Sequence, residues 1–214
     1  MRKRNKNNKI PITPNTGVII GVTGGIGSGK SYVLECFANL GFAVFDTDQA
    51  VHDLLLVGNI GYKEIAKIFP DAVGSKAIDR RKLGALAFHN QKVLRQIEAI
   101  ILPLVRKTQQ DFYDALRGKS VVFEVPMLLE NKREDYYDYI MVTHSPLEVR
   151  KRRALRRKHM TLAKFNAIVA SQVSEQIRLK KADYIIDTAT TKAGTFKKIK
   201  ELIDGAIPRN SIRY

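Results

Sequence analysis

A glycine-rich segment near the start of the chain carries the residue types that bind phosphate. Residues 24–31 read Gly-Gly-Ile-Gly-Ser-Gly-Lys-Ser, which satisfies the pattern G-x-x-x-x-G-K-[ST] in full. In that pattern backbone N–H groups surround an anion, Lys30 reaches the outer phosphates, and the Ser31 hydroxyl holds Mg²⁺. The helix that follows points its positive N-terminal end at the phosphate. The sequence therefore predicts a phosphate-binding loop, and the alternative is a glycine-rich turn without a ligand.

Three carboxylates could act on a phosphate bound there. Asp46 and Asp48 follow a short apolar stretch at 42–45, and on an extended chain two residues at this spacing share one side. Because ligands bind at the carboxyl ends of parallel strands, one carboxylate could orient an attacking hydroxyl and the other support it or the metal. Glu124 ends a second apolar stretch, in the place of an acid that holds metal-bound water. The alternatives are helix capping by the aspartates and strand-end hydrogen bonding by Glu124.

A basic segment at 150–158 holds seven Arg or Lys residues in nine. On a helix these side chains cannot all face one way. Some are expected to reach the phosphates as a lid, because the Arg guanidinium matches phosphate oxygens, and others to be solvated. Aromatic residues do not interleave with the segment, unlike in a single-strand nucleic-acid surface. The four histidines are scattered, without the spacing of a zinc site, and nothing supports a nucleophile triad.

Alternating strands and helices are predicted to position these residues, as in a doubly wound parallel α/β sheet of the P-loop NTPase type. Apolar runs predict strands at 17–23, 42–45, 121–125, 139–143 and 184–187. Helical spacing predicts helices at 31–40, 147–158, 161–181 and 193–207. Ser145 and Pro146 are expected to open the second of these helices, and Thr161 the third.

About seventy residues without a strand signal separate the second strand from the third, far more than a crossover needs. Their periodicity predicts helices at 49–56, 62–69, 80–88 and 92–116, and Pro103 should kink or divide the last. We therefore predict a helical acceptor-binding insertion at 49–117 beside a nucleotide-binding core at 17–48 and 118–207. A lid is expected at about 150–175, and a disordered basic tail at 1–16.

The composition is that of a basic globular protein. The 214 residues are 44% hydrophobic, and their net charge of +16 fits an anionic substrate, nucleic acid or compositional drift toward lysine. No apolar stretch approaches the roughly 18 residues of a membrane span, and no signal peptide is expected. The one cysteine, Cys36, excludes an internal disulfide, fits a reducing compartment and is expected to be a packed thiol. We expect a cytoplasmic protein, and the sequence leaves the oligomeric state open.

Other classes of phosphate-loop protein fit less well. GTPases need an Asn-Lys-x-Asp string, and the nearest match, at 131–134, lacks the Asp. Residues 71–74 have Asp-x-x-Gly spacing, but no apolar strand precedes them. Helicases and large ATPases are usually longer. A small-molecule kinase fits the length, the helical insertion and the Arg-rich segment.

The order of the motifs resembles that of the dephospho-CoA kinase family from about residue 18 to residue 202. Many P-loop kinases share the first motif, whereas the Asp-x-Asp, Asp-Arg-x-x-Leu-Gly and Pro-x-Leu-x-Glu strings in this order are specific. The matching residues are 23–31, 45–48, 78–80, Leu83, Gly84, Phe88, 97–100, Pro103, 122–130, Arg153, Arg157, Gln172 and 182–187.

The resemblance implies Mg²⁺-assisted transfer of the γ-phosphate of ATP to the ribose 3′-hydroxyl of dephospho-CoA, the last step of coenzyme A synthesis. It implies Asp48 and Lys30 as catalytic residues, with Asp48 as the base or orienter, and Ser31 on the metal. The acceptor side would include Asp46, Asp48, Arg80 and Glu124. ATP would be bound by Gly24, Gly25, Ile26, Gly27, Ser28, Gly29, Lys30, Ser31 and, in the lid, Arg157.

The resemblance leaves two other classes to be compared with it. The enzyme alternative is another small-molecule or nucleoside kinase. On charge alone, a nucleic-acid-associated P-loop protein is a further alternative, although no nucleic-acid or membrane partner is expected.

Three positions depart from the family's pattern. Leu102 precedes Pro103 where the family usually has His, and His52 stands where an Arg is often found. Thr188 follows Asp187 where an Asn is usual. Because the first two lie on the inferred acceptor side, the contacts to the substrate follow from the family less directly than the reaction does.

Overall fold

The structure is a computed structural model that describes residues 12–88 and 90–205. The chain divides into two compact units, Met1–Phe45 with Leu116–Tyr214 and Asp46–Ala115. We call the first the sheet unit and the second the helical unit. None of the helices within the described ranges combines the length and the apolar character needed to cross a membrane.

Five parallel strands form the sheet in the described part of the sheet unit, in the order β2-β3-β1-β4-β5. Their bounds are β1 Ile19–Gly24, β2 Ala43–Phe45, β3 Val121–Glu124, β4 Tyr139–His144 and β5 Tyr184–Asp187. All six residues of β1 are buried, as expected of a central strand in a parallel sheet that is covered on both faces. The predicted doubly wound parallel sheet is thus confirmed.

Nine helices accompany the strands in the residues that the structure describes. In chain order they are α1 Lys30–Asn39, α2 Thr47–Leu54, α3 Ile60–Ile68, α4 Arg80–Phe88, α5 Gln91–Ala115, α6 Leu147–Leu155, α7 Leu162–Ser171, α8 Glu175–Lys181 and α9 Lys192–Ile203. Helices α2–α5 belong to the helical unit and the others to the sheet unit.

The strand register brings the site-bearing ends of the central strands together. Val22 pairs with Glu124, and Thr23 pairs with Val142. The carboxyl ends of β1, β3 and β4 therefore meet at one edge of the sheet, where ligands bind in open parallel sheets.

The core of the sheet unit fixes α1 against the sheet. Val33, Phe37 and Cys36 face inward and pack with β1 residues such as Ile20. Burying each large apolar side chain contributes about 1.5–3 kcal/mol. The burial of Cys36 confirms the prediction of a packed cysteine. Burial also raises the pKa of its thiol.

Two predictions for the helices between β4 and β5 are wrong. The single helix expected at 161–181 is two helices, because the Ser174 side chain accepts from Ile177 N–H and begins α8. Ser145 does not cap α6: the residue before that helix is Pro146, and Ser145 is buried. Thr161 does cap α7, accepting from Lys164 N–H at 3.2 Å.

The helical unit has its own apolar core, formed where α3, α4 and α5 pack. Its buried residues include Ile65, Leu83, Ile101 and Val105. Helix α5 continues through Pro103 without division. Asp79 directly precedes α4 and accepts from Arg81 N–H at 2.9 Å. This backbone hydrogen bond and a second from Lys82 N–H lower the pKa of Asp79.

Residues 12–16 differ from the predicted disordered tail. Ile12 is buried in the core of the sheet unit, and Ser120 N–H donates to Pro14 O at 2.8 Å. The short chain segment before β1 therefore packs on the sheet unit. Residues 1–11 of the predicted tail lie outside the described residues.

Candidate active site

The predicted phosphate loop connects β1 to α1 as the sequence indicates. Ser28 N–H donates to Gly25 O at 3.1 Å and closes a tight turn. Gly29 is the N-cap of α1 with a φ of 87°, a left-handed conformation that favours glycine. The N-terminal end of α1 therefore follows the loop directly, and the helix dipole adds positive potential there.

The floor of the loop is fixed by hydroxyl groups from β4 and from the residue after β5. Ser28 Oγ lies 2.6 Å from Thr143 Oγ1, and both residues are buried. Thr188 Oγ1 donates to Ser28 O at 2.7 Å. Thr188, where the family usually has Asn, thus fixes the loop.

Lys30 and Glu124 form the charged centre of the sheet edge. Lys30 Nζ donates to Gly24 O at 3.3 Å and lies 3.9 Å from Glu124 Oε1. Glu124 is only 5% exposed. Because buried surroundings have a low dielectric constant, its carboxylate attracts the Lys30 ammonium group more strongly than it would in water. The arrangement brings two predicted site residues, one from α1 and one from β3, into one ion pair.

The two aspartates after β2 do not share one side of an extended chain as predicted. Helix α2 begins at Thr47, so Asp48 lies in its first turn. Asp46 is the N-cap and accepts from Gln49 N–H at 3.0 Å, which is the alternative role of helix capping. Both aspartates are exposed, and Asp48 has its carboxylate at a helix N-terminus, where negative charge is favoured.

A buried glutamine of α5 contacts the residue between these aspartates. Gln109 Nε2 donates to Thr47 Oγ1 at 3.5 Å, and Gln109 is 1% exposed. No donor among the described residues reaches Gln109 Oε1. No local pattern in the sequence indicates this contact, since the two residues are 62 positions apart.

The Arg-rich segment separates into buried and exposed members along α6. Arg150 is buried and donates to Ser145 O and to Glu175 Oε2, each at 3.1 Å. Arg153 Nη2 donates to Thr188 O at 2.7 Å. Arg157 follows α6 and is exposed. Because α6 buries its face at positions 150 and 154, helical spacing around Ala154 is the signal that could have separated these arginines.

The remaining predicted acceptor residues are exposed in the helical unit. Arg80 is the first residue of α4, directly after Asp79, whose carboxylate bonds the first turn of that helix. His52 in α2 and Leu102 in α5, the two departures from the family's pattern, are exposed as well.

A cavity that sequence reasoning missed opens beside the start of α1. It has a volume of about 190 Å³ and is lined by Gly29, Tyr32, Arg153, Thr188, Thr190, Lys192 and Thr195. Tyr32 OH donates to Lys192 O at 2.9 Å, and Lys192 Nζ lies 5.0 Å from the centre of the Tyr32 ring. An aromatic wall, hydroxyl groups and cationic side chains next to the phosphate loop suit the nucleoside end of a nucleotide.

Comparisons with known proteins agree with this geometry. The family model for dephospho-CoA kinase matches residues 18–193. The chain is 36% identical over 193 residues to the dephospho-CoA kinase of Novosphingobium aromaticivorans, covering 90% of this chain and 96% of that one. These matches span the sheet unit and the whole helical unit.

Two solved structures are similar to this chain, and one of them is a dephospho-CoA kinase. A dephospho-CoA kinase from Campylobacter jejuni has 27% identity and a TM-score of 0.62, with 88% of this chain and 98% of that one covered. A Thermus thermophilus protein has 28% identity and a TM-score of 0.77, with 89% of this chain and 97% of that one covered.

Proposed function

Because the chain belongs to the dephospho-CoA kinase family, we propose that it transfers the γ-phosphate of ATP to the ribose 3′-hydroxyl of dephospho-CoA. The products are coenzyme A and ADP, and the reaction is the last step of coenzyme A synthesis. The observation that carries the proposal is the extent of the family match, residues 18–193. A general phosphate-loop similarity would be confined to the sheet unit, whereas this match includes the helical unit.

The sheet unit supplies the phosphate side of the reaction. The loop formed by Gly24, Gly25, Ile26, Gly27, Ser28 and Gly29, with Lys30 and Ser31, would surround the phosphates of ATP. The N–H groups of Ile26 and Ser28 are bonded to Gln172 and Gly25, so other N–H groups of the loop would donate to the phosphates. Lys30 would neutralise charge on the outer phosphates, and preorganised groups of this kind contribute strongly to phosphoryl transfer. The cavity beside Gly29 and Tyr32 would take the nucleoside end. Arg157, exposed after α6, is the proposed lid residue.

Mg²⁺ is the proposed metal, since the residues present suit it. Ser31 offers a hydroxyl and Glu124 a carboxylate, and Mg²⁺ prefers oxygen ligands and retains several waters. Ser31 would hold the ion directly, and Glu124 would hold its water. When bound, the metal supplies charge neutralisation at the phosphates.

The helical unit supplies the acceptor side. Asp48 would accept the proton of the ribose 3′-hydroxyl. The hydroxyl oxygen would then form a bond to the γ-phosphorus, while the bond from this phosphorus to the leaving oxygen of ADP breaks. Asp46 would assist by capping α2, which fixes the turn that carries Asp48. Arg80 would pair with an anionic group of the acceptor. We further propose a cytoplasmic location and no nucleic-acid partner.

The test is an ADP-release assay with dephospho-CoA, adenosine, nucleoside monophosphates or no acceptor. We expect turnover with dephospho-CoA at least about 100-fold above the others, as a site that bonds its acceptor should discriminate. Preference for a nucleoside or its monophosphate would instead establish the alternative kinase. Activity that falls steeply with salt, as polynucleotide binding does, would favour the nucleic-acid alternative.

The Asp48→Asn variant tests the acceptor base. We expect turnover to fall about 10²-fold or more, since the variant cannot take the proton, with the KM for ATP unchanged. Asp53→Asn is the matched control, because Asp53 is an exposed aspartate on the same helix that accepts from Gln49 Nε2. Near-normal turnover in Asp48→Asn would exclude the proposed role.

A further inference from the structure

The phosphate loop is bonded to a side chain from the region between α7 and α8. Ile26 N–H donates to Gln172 Oε1 at 3.2 Å, across 146 positions of sequence. Ile26 is 8% exposed, and a buried N–H without an acceptor destabilises the fold because it has lost its hydrogen bond to water. Gln172 therefore satisfies a backbone group in the middle of the phosphate-binding pattern.

The break between α7 and α8 holds Gln172 in place. The next residue is bound through both of its backbone groups: Val173 N–H donates to Glu130 Oε1 and Val173 O accepts from Arg178 Nη2, each at 2.9 Å. Arg178 is buried, and burial lowers the pKa of its guanidinium, with Glu130 acting in the opposite direction. Two charged side chains thus fix the backbone next to Gln172.

The same region holds the loop by its side chains. Ile26 packs with Phe165 of α7 and Ala154 of α6. The Arg150 guanidinium lies so close to Gly25 that a Cβ there would stand 2.1 Å from Nη1. Arg150 in turn donates to Glu175 of α8. Residues 25 and 26 are therefore confined by α6, α7 and α8 together.

We propose that Gln172 is a positioning residue for phosphate binding, an inference that rests on the proposed nucleotide site. By accepting from Ile26 N–H it fixes the turn from Gly25 to Ser28, so that the N–H groups that follow face the phosphates. It acts through Ile26 and does not touch the nucleotide. Fixing the donors before the ligand arrives is what makes such a site effective.

Two variants of Gln172 test this proposal. Gln172→Met keeps the length of the side chain and removes the acceptor, whereas Gln172→Glu keeps an acceptor oxygen. Calorimetry measures the binding of ATP, ADP and adenosine. We expect Gln172→Met to weaken ATP and ADP binding about tenfold and adenosine binding less than twofold, as loss of one hydrogen bond in the phosphate cradle predicts. Gln172→Glu should bind ADP at least about threefold more tightly than Gln172→Met.

Kinetics and melting separate positioning from a structural role. The KM for ATP should rise in Gln172→Met while the KM for dephospho-CoA stays at the wild-type value, and the melting temperature should fall by a few degrees, because one buried N–H loses its acceptor. Ser171→Ala is the control, since its exposed hydroxyl donates only to Ile168 O. Unchanged ATP binding in Gln172→Met, or an equal loss for adenosine, would overturn the proposal. Failure of the wild-type protein to bind ATP would count against the proposed function itself.

Discussion

The phosphate loop and the start of α2 hold their site residues in opposite ways. The loop is bonded to side chains from distant segments, the buried Thr143 and Thr188 and the half-buried Gln172. Asp46 and Asp48 are exposed, and the Asp46 side chain accepts from Gln49 N–H, three positions away. The proposed phosphate side is therefore built into the core of the sheet unit, whereas the aspartates of the proposed acceptor side lie at the exposed start of a helix.

This difference has a consequence for mutagenesis. Changes around the loop should alter folding and nucleotide binding together. Changes to the exposed residues proposed for the acceptor, Asp48 and Arg80, should alter acceptor use and leave stability intact.

Lys30→Ala should give the largest effect. We expect turnover to fall about 10²–10³-fold or more, because loss of a preorganised charge at the phosphates has that magnitude. The melting temperature should fall as well, because the variant removes the cation that lies 3.9 Å from the buried Glu124 carboxylate. Lys197→Ala is the control, because Lys197 lies on α9 and its partner is the neighbouring Glu201. Turnover within a few-fold of wild type would exclude Lys30 from phosphate neutralisation.

Thr188→Val tests whether the loop depends on buried hydroxyls. The variant keeps the shape of the side chain but leaves Ser28 O without its 2.7 Å donor. We expect a loss of about 1–3 kcal/mol in the free energy of unfolding, measured by urea titration. Thr190→Val, at an exposed threonine two residues on, should leave the unfolding free energy unchanged. Equal stability of the two variants would show that the loop is not fixed in this way.

Arg80→Ala tests the opposite behaviour in the helical unit. We expect the KM for dephospho-CoA to rise about tenfold, the effect of losing one charge-assisted contact, with the KM for ATP and the melting temperature unchanged. Arg81→Ala is the matched control at the next exposed position of α4. If the acceptor KM of Arg80→Ala does not change, Arg80 does not contact the acceptor.

Tyr137→Phe should give the smallest effect. It tests how much a buried hydroxyl contributes to the stability of the sheet unit. Tyr137 is fully buried, and its hydroxyl has no hydrogen-bond partner among the described residues. Removing that hydroxyl should change stability at pH 7 by less than about 1 kcal/mol, because no bond is lost. A larger loss would reveal a bond to this hydroxyl.

The same variant has a pH dependence with a definite sign. Burial raises the pKa of Tyr137 to about 12, against about 10 in the unfolded chain. Stability is therefore complete below about pH 10 and falls as the pH rises toward 12, because the unfolded state loses its proton first. Unfolding titrations across this range should show a smaller alkaline loss for Tyr137→Phe than for wild type.

Local patterns in the sequence predicted much of this site. The phosphate loop is predicted by the spacing of Gly24, Gly29, Lys30 and Ser31. Strand β3 is predicted by the apolar run before Glu124. Helix capping was harder to predict, since Ser174 interrupts a segment whose periodicity favours one long helix. Capping also explains the position of Asp48. Because Asp46 caps α2, the chain becomes helical at Thr47 and Asp48 lies in a helical turn instead of an extended segment.

Residue types and short-range spacing are enough to predict a phosphate loop, carboxylates after two strands and a helical insertion. The burial of Arg150, the exposure of Arg157 and the contacts of Gln172 with Ile26 and of Thr188 with Ser28 depend instead on tertiary packing. Those contacts span 146 and 160 positions. They arise where packed helices and strand ends meet, and no local periodicity encodes such a meeting.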